Sequence, residues 1–299
     1  MVSLHMLTAY LLTALICGIA HSLPVSSFEA SLAIGKIIKA GPPLSDLSGS
    51  HHRRLAARLS SARHKARYPD VVQRTETPGG LFGDNGVPDL ADVEQTSIPD
   101  CGLIAVLGAL VGQDPKWITN LVSFAGDASS TRYAAFKLVQ PDSLKSAAQK
   151  VAKAALTNVR SDSHEGWWVG GIEQAVRQMG RDVAMLPSEA LEMTTRRKAR
   201  FYFTATSKDA PADWLSKNET WKLISANAHK TPMILQSIQE KPVILDKGHA
   251  FWIMSGNEND GKRWITLWNP HGENEVHDFD VIWSDCYALY SFVDMSATP

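Results

Sequence analysis

The 299-residue sequence predicts an α+β protein of two lobes, helix-rich first and strand-rich last. Three observations carry that expectation. Between Cys101 and His229 the apolar residues fall in long runs with helical character. From Met233 onward the runs shorten, fill with β-branched and aromatic residues, and are broken by turn residues. The chain is also long enough to bury a real core, and its 30 Lys and Arg against 31 Asp and Glu leave no field that would favour nucleic acid.

In chain order, residues 1–22 read as a secretory leader. His5 stands in for a charged start, Leu7 to Ala20 are apolar, and Ala20-His21-Ser22 put small residues at the −3 and −1 positions of a cleavage site. That stretch is shorter than the roughly 20 apolar residues a membrane span needs, and no later segment is apolar enough, so stable membrane insertion is not expected. Residues 23–80 are basic and Pro/Gly-broken. Leu55, Leu59, Ala62 and Ala66 recur at helical spacing against Arg53, Arg54, Arg58, Arg63 and Arg67. The segment fits a propeptide helix with Arg53-Arg54 as a processing site, a surface-seeking basic helix, or a solvated linker.

The globular part divides into a helical lobe over 81–205 and a β-rich lobe over 206–299. A helix starts at Cys101, where Pro99-Asp100 end a loop. Others are expected over Ser143 to Leu156, opened by Pro141-Asp142; over about Trp167 to Met179, stopped by Gly180; and over about Asn218 to His229, ending before Pro232. The Trp167-Trp168 pair reads as core, with a ligand platform as the alternative. Strands are expected at Met233–Ile238, Val243–Leu245, His249–Ser255, Arg263–Trp268, Val276–Trp283 and Tyr287–Val293. Asn218-Glu219-Thr220 is a glycosylation sequon, which requires a surface loop.

The sequence holds three cysteines. Cys17 leaves with the leader, so a disulfide scaffold is absent, although one Cys101–Cys286 bridge stays open. Cys101 alone reads either as a buried inert thiol or as a nucleophile. At a helix N-terminus it would face free N–H groups and the positive end of the dipole, which favour thiolate. Downstream, Gly248-His249-Ala250 opens an apolar strand and Asn269 ends the next, with Asn259-Asp260-Gly261 as turn chemistry between them. Setting Ser255 opposite Lys262 or Arg263 puts His249 opposite Trp268 or Asn269, close enough for a cross-strand hydrogen bond. An amide there orients an imidazole without adding charge, as in Cys-His-Asn hydrolases.

Spacing adds to this. His249 follows Cys101 by 148 residues and Asn269 follows His249 by 20, the order and distances of papain-type enzymes. Gln95 precedes the cysteine by six residues, where its amide and the Cys101 N–H can bind an oxyanion.

On these residues the chain resembles the protease core of calpains. Gln95, Asp100 and Cys101 match that family's nucleophile segment. Gly248-His249-Ala250 and Asn269-Pro270-His271-Gly272 match its Gly-His-Ala stretch and Asn-Pro-aromatic-Gly turn. Trp167 to Ala175 is loosely similar to its Trp-x-x-x-x-Glu-x-Ala helix, and Phe279, Trp283, Ser284 and Asp285 to its closing strands. The likeness spans about residues 81–295. Gly102 stands where calpains have Trp, His271 where they have the Trp that shields the Asn–His pair, and Pro99 where they have Gly.

The resemblance implies a papain-like two-lobed fold and a secreted cysteine endopeptidase acting on protein or peptide substrates. Cys101 attacks, His249 moves the proton, Asn269 orients His249 and Gln95 helps bind the oxyanion. No histidine has the companions of a metal site, and no EF-hand loop is evident. The resemblance alone allows calcium to align the lobes, with no ligands identified. Two rival readings are a non-catalytic secreted effector or binding module on the same fold, and another Cys-dependent acyl-transfer enzyme such as a transglutaminase or amidase.

Overall fold

A computed structural model describes residues 79–299 apart from 84, 96–97, 141–148, 156–165, 205–214, 239–240 and 297. The leader and nearly all of the basic segment, Arg53-Arg54 included, lie outside the described residues. Within them the chain is mixed helix and antiparallel sheet, so the α+β expectation holds.

The central element is α1 (Cys101–Gln113), buried continuously from Cys101 to Val111. A helix apolar on all sides must be enclosed on all sides. It is followed by a short α2 (Lys116–Thr119) and a three-stranded antiparallel sheet of β1 (Val122–Ser123), β2 (Tyr133–Val139) and β3 (Gln149–Ala155). Helices α3 (Trp168–Gln178) and α4 (Pro187–Thr195) pack against that sheet, and α4 also packs on α1.

The remaining strands form a six-stranded sheet. In chain order they are β4 (Ala199–Phe203), β5 (Ile234–Ser237), β6 (Ala250–Asn259), β7 (Lys262–Asn269), β8 (Glu273–Asp278) and β9 (Cys286–Phe292), and across the sheet they run β4-β9-β5-β6-β7-β8. One face carries Ile234, Ala250, Trp252, Trp268, Ala288 and Tyr290 into the core around α1. The other carries Leu235, Phe251, Ile253, Ile265, Leu267 and Leu289. These meet Trp221 and Ile224 of α5 (Lys217–Asn227) and Phe279 and Ile282 of α6 (Phe279–Ile282). Burial on both faces explains why these strands read as continuous apolar runs rather than alternations.

Several expectations are corrected. The expected helix over Ser143 to Leu156 is a strand from Gln149 to Ala155, and 141–148 lie outside the described residues. Its Ala- and Lys-rich composition favours helix, but it pairs along its length with β2, Phe136 opposite Ala152. Ala152 and Ala154 point inward while Val151 and Lys153 are exposed, so tertiary pairing overrides propensity. Val243–Leu245 is no strand, because its N–H groups bond the Asp285 carboxylate instead of a ladder. The strand expected over Val276–Trp283 stops at Asp278, whose side chain accepts from Asp280 N–H and starts α6.

The sequon lies in the first turn of α5 rather than in a loop. Thr220 is fully buried and Asn218 accepts from Arg263. Sequence reading missed α4, although Pro187 at its first position and Glu189 in its first turn were a legible start signal. It also missed β4, which precedes the expected boundary at 205 yet pairs with β9.

Trp167 and Trp168 are core as expected. Trp168 donates to Asp92 at 2.6 Å, and Trp167 donates to the Thr131 carbonyl at 3.2 Å.

Close approach of α1 to the large sheet depends on two glycines. A Cβ on Gly108 would lie 2.4 Å from the Trp268 ring, and one on Gly112 would lie 2.2 Å from Trp252. Gly112→Ala gains helix propensity of about 1 kcal/mol but overpacks a closed interface, at a typical cost of about 1–3 kcal/mol. The net expectation is a lower unfolding temperature in a circular-dichroism melt. A higher one would mean that α1 does not seat on Trp252 in this register.

Candidate active site

Cys101 is the first residue of α1, as expected from the loop-to-helix switch. The Asp100 side chain makes no capping bond; the Asp100 carbonyl instead accepts from Leu103 and Ile104. The thiol sits against the backbone N–H of Ala250, the residue after His249, and its own and the Gly102 N–H also favour thiolate. Burial outweighs all three and, with the Asp100 charge beside it, pushes the thiol up to about 11. The expected lowering is therefore corrected: the helix terminus acts in the foreseen direction, but the site is too dry for it to win.

Two acids, Asp100 and Glu173, lie close to one another beside the nucleophile. Both are almost wholly buried. Asp100 is held well above the usual carboxylate range by burial first and by Glu173 second, with Arg177 opposing. Glu173, the loosely matched position in α3, thus lies under the nucleophile loop, with Arg177 at 3.5 Å.

His249 and Asn269 meet as expected, Nε2 to Oδ1 at 2.9 Å. The route differs from the expected register. The turn is the tight pair Asp260-Gly261, both at positive φ, so Asn259 faces Lys262 and Gly256 faces Ile265. A bulge at Met254 then shifts the pairing, so that Ile253 faces Leu267 and Trp252 faces Trp268. Continuing that register puts Asn269 opposite Phe251, with His249 as its diagonal neighbour on the same face. Without the extra residue Asn269 would oppose Trp252 and point away from His249.

Asn269 uses every hydrogen-bonding position it has. Oδ1 accepts from His249 Nε2 and from the His271 backbone N–H at 3.1 Å. Nδ2 donates to Asp246 Oδ2 at 3.1 Å and to Glu275 Oε1 at 2.7 Å. A flipped amide would turn its oxygen toward two carboxylates and its nitrogen toward an N–H, so the orientation is fixed. It follows that His249 carries its proton on Nε2, leaving the Nδ1 lone pair free as a base. Burial holds the His249 imidazole below its ordinary value; the Asn269 bond and the charges of Asp246 and Glu275 act against that, and His271 adds to it.

His271 stacks on His249 with ring centres 5.0 Å apart and planes within 6°. Its Nδ1–H donates to the Gln95 carbonyl at 3.0 Å, and the Gln95 N–H donates to the Pro270 carbonyl at 2.7 Å. These two bonds tie the nucleophile loop to the Asn269-Pro270-His271 turn. The Gln95 side-chain amide donates to the Ile98 carbonyl at 2.6 Å, and its oxygen is buried without a partner. Its expected oxyanion role thus falls to an amide already bonded within its own loop. Gly102 is packed so closely that a Cβ would lie 2.4 Å from the Met185 carbonyl oxygen. No indole fits there without moving that loop.

Cys286 makes no bridge. Both cysteines are free, and Cys286 belongs to the core on the far face of the sheet from Cys101. Asp246, His249 and His271 offer ligand atoms within 4.8 Å of one another. Lone pairs of two parallel, stacked rings do not converge on one ion, and each ring already donates one N–H to a carbonyl oxygen. In this arrangement the three do not form a metal centre. No described residue identifies calcium ligands. Among the described residues no helix is long and apolar enough to cross a membrane.

No protein-family model matches the chain, and no curated protein matches it.

Cys101, beside Ala250 at a helix terminus, is expected to react with iodoacetamide under native conditions, and Cys286, fully buried and bonded to the Ile282 carbonyl, is not. Mass mapping of the alkylated protein reads this directly. If the thiol acts alone, its rate rises about tenfold per pH unit through neutrality toward about 11. A rate already level near neutral pH would instead show that His249 carries its proton. Equal labelling of both cysteines would remove Cys101 from the site.

Proposed function

We propose that the chain is a secreted cysteine endopeptidase of calpain-like type, with a papain-like arrangement of a helical half and a β-rich half. Cys101 is the nucleophile, His249 the base and then the acid toward the leaving amine, and Asn269 the group that orients His249. Gln95 and the Cys101 N–H are the assigned oxyanion donors. Protein or peptide is the substrate, and the leader pattern of residues 1–22 is the ground for secretion.

The observation that carries this reading is the amide of Asn269, saturated by four bonds, which leaves His249 with a free Nδ1 next to the residue that contacts the Cys101 thiol. The base comes from the loop that enters the large sheet and the nucleophile from α1.

A second reading, a secreted binding protein that has lost turnover, is favoured by the thiol itself, which burial keeps protonated at neutral pH. A thiol-directed covalent probe separates the two, and product analysis separates peptidase from cross-linking or amidase chemistry.

His249→Ala is expected to remove nearly all hydrolysis of an unfolded protein substrate, while Asn269→Ala keeps the fold and part of the rate. Because burial lowers the His249 value, the base stays neutral until the pH falls below the ordinary imidazole range, and turnover falls there. Asn269→Asp adds a charge that favours imidazolium and moves this acid limb upward. It also sets a third carboxylate against Asp246 and Glu275, so it lowers the melting temperature. A pH–rate profile and a melt for each variant check this; an Asn269→Asp profile equal to the parent's would mean that the two side chains do not touch.

A further inference from the structure

We infer that Asp246 and Glu275 are positioning residues that, acting through Asn269, keep the His249 proton on Nε2 and favour its charged form. The consequence for turnover rests on the peptidase reading; the consequence for the imidazole does not.

The two carboxylates come from separate segments. Asp246 lies in the loop before β6, and Glu275 lies on β8, opposite Leu267 of β7. They converge on one amide nitrogen, at 3.1 and 2.7 Å. Each is itself held. The other oxygen of Glu275 accepts from His277 Nε2 at 2.8 Å. The Asp246 carbonyl accepts from the Ser237 hydroxyl, and the loop before it is pinned where Val243, Ile244 and Leu245 donate to Asp285 at 2.9, 2.7 and 3.0 Å. Burial works against the Asp285 carboxylate, yet these N–H groups together hold it below its ordinary value.

A neutral acceptor would suffice to bind the Asn269 amide. Two anions do more. They make the flipped amide strongly unfavourable, and they set two negative charges behind the ring that must become positive in catalysis. The groups facing His249 are Asp246, His271 stacked at 5.0 Å, Phe251 edge-on at 4.9 Å, and Glu275 with its partner His277, while the Cys101 thiol contacts the neighbouring Ala250 N–H. Burial and His271 oppose the imidazolium; Asp246 and Glu275 are the ionic groups that favour it. Removing both leaves Asn269 oriented only by the His271 N–H and His249 itself. A flipped amide then selects the Nδ1–H tautomer, which has no lone pair for the thiol.

The test is two-bond ¹H–¹⁵N correlation NMR of the full chain labelled at the imidazole nitrogens, with His249 assigned by its loss in His249→Gln. The parent is expected to show His249 protonated on Nε2. The double variant Asp246→Asn/Glu275→Gln keeps amide oxygens as acceptors but removes both charges. Its His249 is expected to stay on Nε2 and to protonate at lower pH. Asp246→Ala/Glu275→Ala is expected to show mixed tautomers and, if the chain is a peptidase, to lose about tenfold or more in kcat with little change in KM. A parent proton on Nδ1, or an unchanged His249 titration in the Asn/Gln variant, overturns the inference even if the Ala variant does not fold. A parent without turnover sinks the peptidase reading and leaves the NMR result to decide this one.

Discussion

The saturated amide of Asn269 is the constraint on which the rest of the site depends. At the end of β7, it makes two bonds to the loop before β6, through His249 and Asp246, one to Glu275 of β8 and one to His271 of the 270–272 turn. A primary amide has two donors and two lone pairs, so nothing is left over for an alternative orientation. This gives His249 a definite proton position without a visible hydrogen. The same turn reaches Gln95 through Pro270 and His271, so one small cluster fixes both the base and the loop that leads to the nucleophile. His271, which at first sight only lacks an indole, is the piece that spans the two: its backbone bonds Asn269 and its ring bonds Gln95 and covers His249.

Two features of packing make that cluster possible. The Met254 bulge changes which face Asn269 presents, and so converts an ordinary hairpin into one whose end residues meet. The glycines of α1 let that helix lie against Trp252 and Trp268 on the same strands. The helix N-terminus is thereby brought to Ala250, one residue from the base. Sheet register and helix seating therefore both converge on the thiol, and an error in either would separate Cys101 from His249.

Much of this was legible in the sequence, and the boundary of legibility has a physical cause. The start of α1 was readable because Pro99-Asp100 break the chain just before an unbroken apolar run. Contact between His249 and Asn269 was readable from hairpin geometry, but only by coincidence of parity. The expected pairing of Ser255 with Arg263 and the observed bulged pairing put both residues on one face, although the details differ by several residues. A bulge leaves no mark in composition. Strand β3 was hidden because Ala and Lys carry helix propensity wherever they stand, and only its partner β2 decides otherwise. Asp246 and Glu275 could not be read at all. Exposed acids look alike in sequence, and their meeting on Asn269 is a property of three segments folded together.

The thiol shows how these contacts must act in concert under the peptidase reading. With the thiol at about 11 and the imidazole below its ordinary 6.5, moving the proton from Cys101 to His249 is uphill by about 6 kcal/mol or more, at ~1.4 kcal/mol per unit. That gap favours the neutral pair at rest, and under the peptidase reading the proton moves as the thiol attacks. His249 then works as a general base rather than as one half of a standing ion pair. Every group that favours imidazolium, Asp246 and Glu275 through Asn269, narrows that gap, while the buried Asp100 beside the thiol and His271 above the ring widen it.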